Sequence, residues 1–208
     1  MSADLNEPPS PSQHARSLVR MALLFEGSLW LAAIALGWLL GVPLRDFLPA
    51  GGDWTRWLGE IGFGILGSLP SLAVLLLMLA FPNGPWRNLV RFVDREVIPL
   101  FRSLRWPALA LIAVLAGCGE ECLFRGVVQS VASRWCGLAV GVCVANALFA
   151  LGHWLTPLYA IFALLMGLYF SGLFLMAGSG LIAPIVAHAI YDFAALILLL
   201  RKDRAAQR

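Results

Sequence analysis

Three short stretches of the sequence place ionisable side chains within long apolar runs. They are GEECLFRG at residues 119–126, FALGH at residues 149–153 and HAIYD at residues 188–192. A charged side chain inside a bilayer costs at least about 2.5–3.5 kcal/mol, so it rarely persists without a partner or a task. These stretches are therefore the candidates for chemistry.

The first stretch separates two acidic residues by their direction on a helix. Glu121 and Arg125 are four residues apart, so they share a helix face and can form an ion pair that keeps Glu121 ionised. Glu120 points about 100° away from Glu121, which leaves its carboxylate free to face another helix. Glu120 is therefore the carboxylate of this stretch that can meet side chains of other helices.

The other two stretches repeat the spacing of four residues. His188 and Asp192 can meet on one helix face, and Phe149 and His153 place an aromatic wall one turn from an imidazole. The two stretches hold two of the three histidines of the chain, and the third, His14, precedes the apolar runs. We predict that His153, His188 and Asp192 belong to the same site as Glu120.

A glutamate, two histidines and an aspartate are the groups needed to activate water. A desolvated carboxylate can act as a general base near neutral pH. An imidazole can hold the water, donate to an oxyanion or protonate a leaving amine. Two histidines and a carboxylate can also bind zinc, but the HExxH helix of zinc peptidases is absent, so we expect no metal cofactor.

The elements that must position these groups are membrane helices. The 208 residues are 60% hydrophobic and 13% charged, with mean hydropathy +0.82, whereas soluble domains carry about 25% charged residues. We predict an all-α polytopic transmembrane bundle with the motifs on its last four spans and no nucleic-acid partner. The six predicted spans are Met21–Val42, Ile61–Phe81, Pro107–Val131, Cys136–Trp154, Leu158–Ala177 and Leu181–Leu200.

The distribution of Lys and Arg predicts the orientation of the bundle. Eleven of these residues precede the first span, join the second span to the third or follow the sixth, and three lie on the other side. Basic loops remain cytoplasmic, so both termini are predicted to be cytoplasmic. The chain is then an integral membrane protein, and its compact length favours a bacterial inner membrane.

The same patterns divide the chain into four parts. Residues 1–17 are predicted to be a disordered polar tail, and residues 18–106 two transmembrane helices followed by a cytoplasmic interfacial segment rich in Arg and aromatic residues. Residues 107–200 are predicted to form the catalytic helical core, and residues 201–208 a basic cytoplasmic tail. Of the remaining polar residues in the spans, Glu26 is expected at the membrane interface and Asn146 in an interhelical hydrogen bond.

The order EExxxR, FxxxH and HxxxD resembles the CAAX prenyl protease and bacteriocin-processing family (CPBP or Abi), which includes Rce1-type endopeptidases. The segments around the first and last motifs, AGCGEECLFRGVVQ and LIAPIVAHAIYD, also resemble those of the family. The resemblance covers about the C-terminal half of the chain. Three motifs in order, each in an apolar span, make a specific signal, whereas EExxxR alone would be weak.

The resemblance implies a metal-independent glutamate intramembrane protease. By analogy with the family, Glu120 and His153 activate the attacking water, and His188 with residue 192 stabilises the oxyanion. Arg125 holds Glu121 and the local helix. Rce1-type members carry Asn where this chain has Asp192, and an ionised Asp accepts hydrogen bonds but cannot donate one. Asp192 can instead orient His188, or remain protonated in an apolar site.

Three functions stay open at this point. The leading hypothesis is hydrolysis of a membrane-associated peptide or lipidated protein. The alternative, which the family also implies, is a non-catalytic membrane interaction or bacteriocin-immunity protein that retains the motifs as a structural network. A small transporter with a proton-binding glutamate is the third, and the sequence has no internal repeat to favour it.

Overall fold

The computed structural model describes residues 11–206, and within this range the chain forms seven helices and no strand. The all-α prediction is confirmed. The helices are α1 (Pro11–Leu39), α2 (Trp54–Ala80), α3 (residues 84–101), α4 (Trp106–Cys136), α5 (Leu138–Gly152), α6 (Pro157–Met176) and α7 (Ile182–Ala206).

Five of the helices in the described range, α1, α2, α4, α6 and α7, are long and apolar enough to cross a membrane. The fourth predicted span, Cys136–Trp154, differs from the other five. It contains the 15-residue helix α5, which at 1.5 Å per residue is about 22 Å long, shorter than the ~30 Å hydrocarbon core. Gly137 separates α4 from α5 because its φ of +89° is a conformation that residues with a side chain rarely adopt.

Local sequence accounts for where several helices begin. The Asp53 side chain accepts a hydrogen bond from the backbone N–H of Arg56 at 3.0 Å and caps α2. Thr156 caps α6 in the same way by accepting from the Tyr159 N–H at 3.1 Å. Pro occupies the first turn of both α4 and α6, where its missing N–H costs no hydrogen bond.

Helices α4 and α7 form the centre of the bundle. Helix α4 packs against α1, α5 and α7, and α7 also packs against α2, α3 and α6. Small residues allow the closest approaches: a Cβ atom on Gly117 would lie 2.9 Å from the Ile185 carbonyl oxygen, and one on Gly64 would lie 2.6 Å from the Ala183 carbonyl oxygen. Both contacts bring the backbone of α7 against a neighbouring helix. The three motif stretches therefore lie on helices that surround one core.

The two predicted tails are partly helical. Residues 11–17 form the first turns of α1, so the predicted disorder is wrong for them, and residues 1–10 lie outside the described residues. Helix α7 continues to Ala206, past the predicted end of its span at Leu200. Its last turns are held by polar contacts: Asp203 accepts from Arg102 at 2.7 and 2.8 Å, and Lys202 donates to Asp94 at 2.6 Å.

The predicted interfacial segment corresponds to α3. It runs as Gly84–Phe92, a π-helical turn Val93–Val97 and Ile98–Phe101. Leu89, Val90 and Ile98 are buried against the bundle, while the arginines of the segment remain exposed. The segment is therefore amphipathic, as its sequence predicts.

The start of α7 is held by a buried glutamate from α2. Glu60 is 6% exposed, and its carboxylate accepts from the Ile182 N–H at 3.3 Å and from Arg56 Nε at 2.8 Å. A carboxylate at a helix N-terminus satisfies an otherwise unpaired N–H and interacts favourably with the helix dipole. Glu60 thus fixes the end of the helix that carries His188.

We expect Glu60→Ala to destabilise the protein by about 1–3 kcal/mol, because it removes a charged hydrogen-bond acceptor from a buried helix end. Thermal unfolding in detergent micelles measures the change. Glu96→Ala is the matched control, since Glu96 is exposed on α3, and its unfolding temperature should stay near that of the wild type. Equal unfolding temperatures for both variants would show that Glu60 does not anchor α7.

Candidate active site

The predicted ion pair of the first motif is present and fully buried. Arg125 Nη1 donates to Glu121 Oε1 at 3.0 Å, and both side chains are 0% exposed. Arg125 Nη2 also donates to the Gly167 carbonyl at 2.7 Å, and the guanidinium lies 4.7 Å from the centre of the Phe149 ring. A buried guanidinium needs this many partners because an unpaired charge is costly away from water.

Glu120 faces away from this pair, towards two imidazoles. Its Oε1 lies 3.8 Å from His153 Nε2, and its Oε2 lies 3.8 Å from His188 Nε2. Both distances exceed a direct hydrogen bond. Glu120 is 8% exposed, and its Oε2 is buried with no hydrogen-bond partner in the described structure. The side chain predicted to be the reactive acid therefore has an unused acceptor between the two histidines.

His153 follows the last residue of α5 and presents one ring nitrogen to Glu120. Its Nδ1 lies 2.8 Å from the Phe149 carbonyl oxygen, and a carbonyl can only accept, so Nδ1 carries the hydrogen. In the neutral ring, Nε2 then carries the lone pair, and it faces Glu120 Oε1 at 3.8 Å. The ring stacks on Phe149 with centroids 4.4 Å apart, as the spacing predicts.

His188 joins the ion pair to the reactive acid. His188 is only 5% exposed. Its Nδ1 lies 2.7 Å from Glu121 Oε1, so this buried ring nitrogen is hydrogen-bonded. Its Nε2 faces Glu120 and also lies 3.4 Å from Asp192 Oδ2. The Phe170 ring stacks on the imidazole with centroids 4.7 Å apart. These contacts fix the ring plane and aim Nε2 at the same region as His153.

The helix that carries the first motif changes its winding at the site. Residues Cys122–Gln129 of α4 form a π-helix, directly after Glu121. The Ser130 hydroxyl donates at 3.0 Å to the Arg125 carbonyl, five residues earlier. Wider turns of this kind occur frequently at functional sites. The regular α-helix assumed from the sequence does not extend through the motif.

An apolar cavity of about 250 Å³ adjoins the site at Asp192. Its polar lining residues are Tyr159, Tyr191 and Asp192, and the remaining walls are apolar side chains of α2, α3, α4, α6 and α7. Asp192 is about one-third exposed, so it is the member of the site that borders this space. The cavity can hold an apolar group next to Asp192.

The described residues contain no set of three His, Cys, Asp or Glu side chains arranged to hold a metal ion. The carboxylates of Glu121 and Asp192 each lie within 3.4 Å of a His188 nitrogen. Acidic and basic side chains are thus close enough together for acid–base chemistry.

Two residues have a closer relation to the site than the sequence suggests. Asn146 makes the predicted interhelical contact, donating to Ser171 Oγ at 2.9 Å, and it also accepts from Arg125. Glu26 lies near the middle of α1, in the apolar segment Ala15–Leu39. Its Oε2 is buried and would lie 3.2 Å from a Cβ on Gly119. The contact between Glu26 and Gly119 depends on how α1 packs on α4, so it could not be predicted from the sequence.

The C-terminal half of the chain matches a known family. Residues 102–194 match the family described as type II CAAX prenyl endopeptidase Rce1-like. The matched segment contains every predicted site residue, from Glu120 to Asp192. No curated protein and no solved structure is detectably similar to the chain.

Proposed function

Because residues 102–194 form a Rce1-like domain in a helical membrane protein, we propose that the chain is an intramembrane endopeptidase of the glutamate type. It hydrolyses a peptide bond in a membrane-associated peptide or lipidated protein. The observation that carries this proposal is the Glu120 carboxylate, buried with 3.8 Å gaps to both His153 and His188. A water molecule can contact a carboxylate and an imidazole across such a gap.

In the proposed reaction, water lies between Glu120 and His153. Glu120 removes a proton from the water, and the oxygen attacks the carbonyl carbon of the scissile peptide bond. His188, protonated on both ring nitrogens, donates its Nε2–H to the oxyanion of the tetrahedral intermediate from the other side of Glu120. The proton held by Glu120 then passes to the leaving amine as the C–N bond breaks. No metal ion is required for these steps.

The supporting residues limit the freedom of the two imidazoles. Glu121 accepts from His188 Nδ1, and Arg125 neutralises Glu121. Phe149 covers the face of His153. A catalytic group that is already oriented avoids reorganisation when charge develops in the transition state.

The surroundings of the site and the charge distribution of the chain support a proposal for the kind of substrate and the location of the protein. The cavity beside Asp192 is almost wholly apolar, which suits an apolar side chain or lipid group next to the scissile bond. The bias of Lys and Arg favours cytoplasmic termini, and we propose a bacterial inner membrane as the location. A peptide precursor or a membrane protein is the substrate class that we favour.

The test is a search for peptide termini that depend on the chain. Wild-type protein and Glu120→Gln are expressed in the same cells, and new peptide termini in membranes are quantified by mass spectrometry. The proposal expects precursors to accumulate with the variant and cleaved termini to appear with the wild type. Identical termini in both samples would instead favour a non-catalytic interaction or immunity role.

Asp192→Asn tests the role of the aspartate. We expect the variant to keep kcat within about tenfold of wild type, a difference of about 1.4 kcal/mol. The amide oxygen can still accept from His188, and its NH₂ adds the donor that an ionised aspartate lacks. Asp192→Ala removes both and should lose more activity. If Asp192→Asn is as impaired as Asp192→Ala on the same peptide, the negative charge at this position is essential.

A further inference from the structure

A buried polar chain lies behind the ion pair of the candidate site. Its members are Gln129, Ser171 and Asn146, which are 1%, 1% and 0% exposed. Ser171 Oγ donates to Gln129 Oε1 at 2.7 Å and accepts from Asn146 Nδ2 at 2.9 Å. Asn146 Oδ1 then accepts from Arg125 Nη2 at 3.3 Å. The polar chain therefore ends on the guanidinium that holds Glu121.

The direction of each hydrogen bond in this polar chain is fixed by its neighbours. Asn146 Nδ2 also donates to the Val142 carbonyl at 2.8 Å, which can only accept, so the amide nitrogen and oxygen cannot exchange places. The amide oxygen must then face Arg125, which is always a donor. From there the order continues through Glu121 Oε1 to His188 Nδ1 at 2.7 Å. One arrangement of donors satisfies all these contacts.

We infer that Asn146 and Ser171 are positioning residues for His188, acting through Arg125 and Glu121. They contact no group that the proposed reaction changes. Their effect is to hold the guanidinium so that Glu121 Oε1 faces His188 Nδ1, which in turn directs Nε2 towards Glu120. The expected effect on kcat rests on the proposed function. The orientation of the His188 ring by these residues does not.

The local sequence and packing favour this role over simple space filling. Asn146 is the one residue of α5 with an amide, hydroxyl or charged side chain, and a buried amide is costly unless its hydrogen bonds are made. Gly167 leaves room for it, because a Cβ there would lie 2.5 Å from Asn146 Oδ1 and 3.2 Å from Arg125 Nη2. An apolar residue at position 146 would fill the space without orienting the guanidinium.

The kinetic test uses the full chain in lipid nanodiscs with a cleaved peptide as substrate. Asn146→Leu keeps the approximate volume and removes the hydrogen bonds, and we expect kcat to fall about 10- to 100-fold, the scale of a misplaced catalytic group. KM should change little, because neither residue faces the cavity. Ser171→Ala removes one hydroxyl, is the variant most certain to fold, and should show a smaller fall in kcat.

Two controls separate positioning from a general loss of packing. Ser71→Ala removes another buried hydroxyl, which donates to the Ser68 carbonyl in its own helix, and it should leave kcat unchanged. In a Glu121→Gln background, Asn146→Leu should have little further effect on kcat, because residues that act through one contact are not additive. Fully additive effects would overturn the inference.

A spectroscopic test does not depend on peptide cleavage. The chain has three histidines, so ¹⁵N-histidine labelling and NMR can resolve the His188 ring. The wild type should show a hydrogen-bonded proton on His188 Nδ1, and Asn146→Leu and Ser171→Ala should shift or broaden that signal while Ser71→Ala does not. An unchanged His188 signal in both variants would overturn the inference. If the wild type cleaves nothing, the proposed function fails while this measurement still decides the positioning role.

Discussion

Glu120→Gln is expected to lower kcat for peptide hydrolysis by about 10²- to 10⁴-fold, the usual contribution of a general base. The amide has nearly the same shape as the carboxylate but cannot accept the proton of the attacking water. Because Glu120 makes no direct hydrogen bond to either histidine, with 3.8 Å to each, the substitution should leave the fold intact. Peptide cleavage by purified protein in nanodiscs measures kcat.

The control for this variant is a change of the same kind outside the site. Glu96→Gln replaces an exposed carboxylate of α3 and should cleave the peptide at the wild-type rate. Thermal unfolding of both variants should coincide with that of the wild type. A Glu120→Gln protein that cleaves normally would remove Glu120 as the base and, with it, the glutamate-type reaction.

Arg125→Met is expected to reduce the free energy of unfolding by about 3–5 kcal/mol, the cost of leaving one partner of a buried ion pair uncompensated. Methionine replaces the aliphatic part of the side chain, but the Gly167 carbonyl loses its guanidinium donor and the Glu121 carboxylate keeps only its contact with His188 Nδ1. Chemical unfolding in mixed micelles, followed by circular dichroism, measures the loss. Arg125→Lys should also be destabilised, since one ammonium cannot reproduce the planar fork.

A second substitution separates the effect of the unpaired charge on stability from the effect of the changed side-chain shape. The double variant Glu121→Gln with Arg125→Met removes both charges and should recover part of the lost stability, because no uncompensated carboxylate remains. Arg45→Met is the surface control. Its side chain is 87% exposed, and the change should lie within about 0.5 kcal/mol. A single Arg125→Met variant as stable as the wild type would show that the pair contributes nothing to the fold.

The pairs within one helix could be predicted from the sequence, because residues four apart share a face whatever the rest of the chain does. Glu121 with Arg125 and His188 with Asp192 are examples, at 3.0 and 3.4 Å. The membrane fold follows in the same local way from long apolar runs. The match at residues 102–194 agrees with the resemblance carried by the three motifs.

Contacts between helices were decided by the tertiary structure. That one oxygen of Glu121 serves both Arg125 and His188 depends on how α4 and α7 pack, and no spacing along the chain encodes it. The same holds for Asn146 beneath Arg125, and for Glu26 against Gly119.

The sequence alone thus determined which charged side chains are candidates for function, because the free-energy cost of a charge in an apolar segment depends on residue type and hydropathy. It also determined their direction on each helix. The tertiary structure decided which of them meet, since helix packing depends on small residues, π-helical winding and turn geometry summed over the whole bundle. Glu120 between His153 and His188 is the result of both.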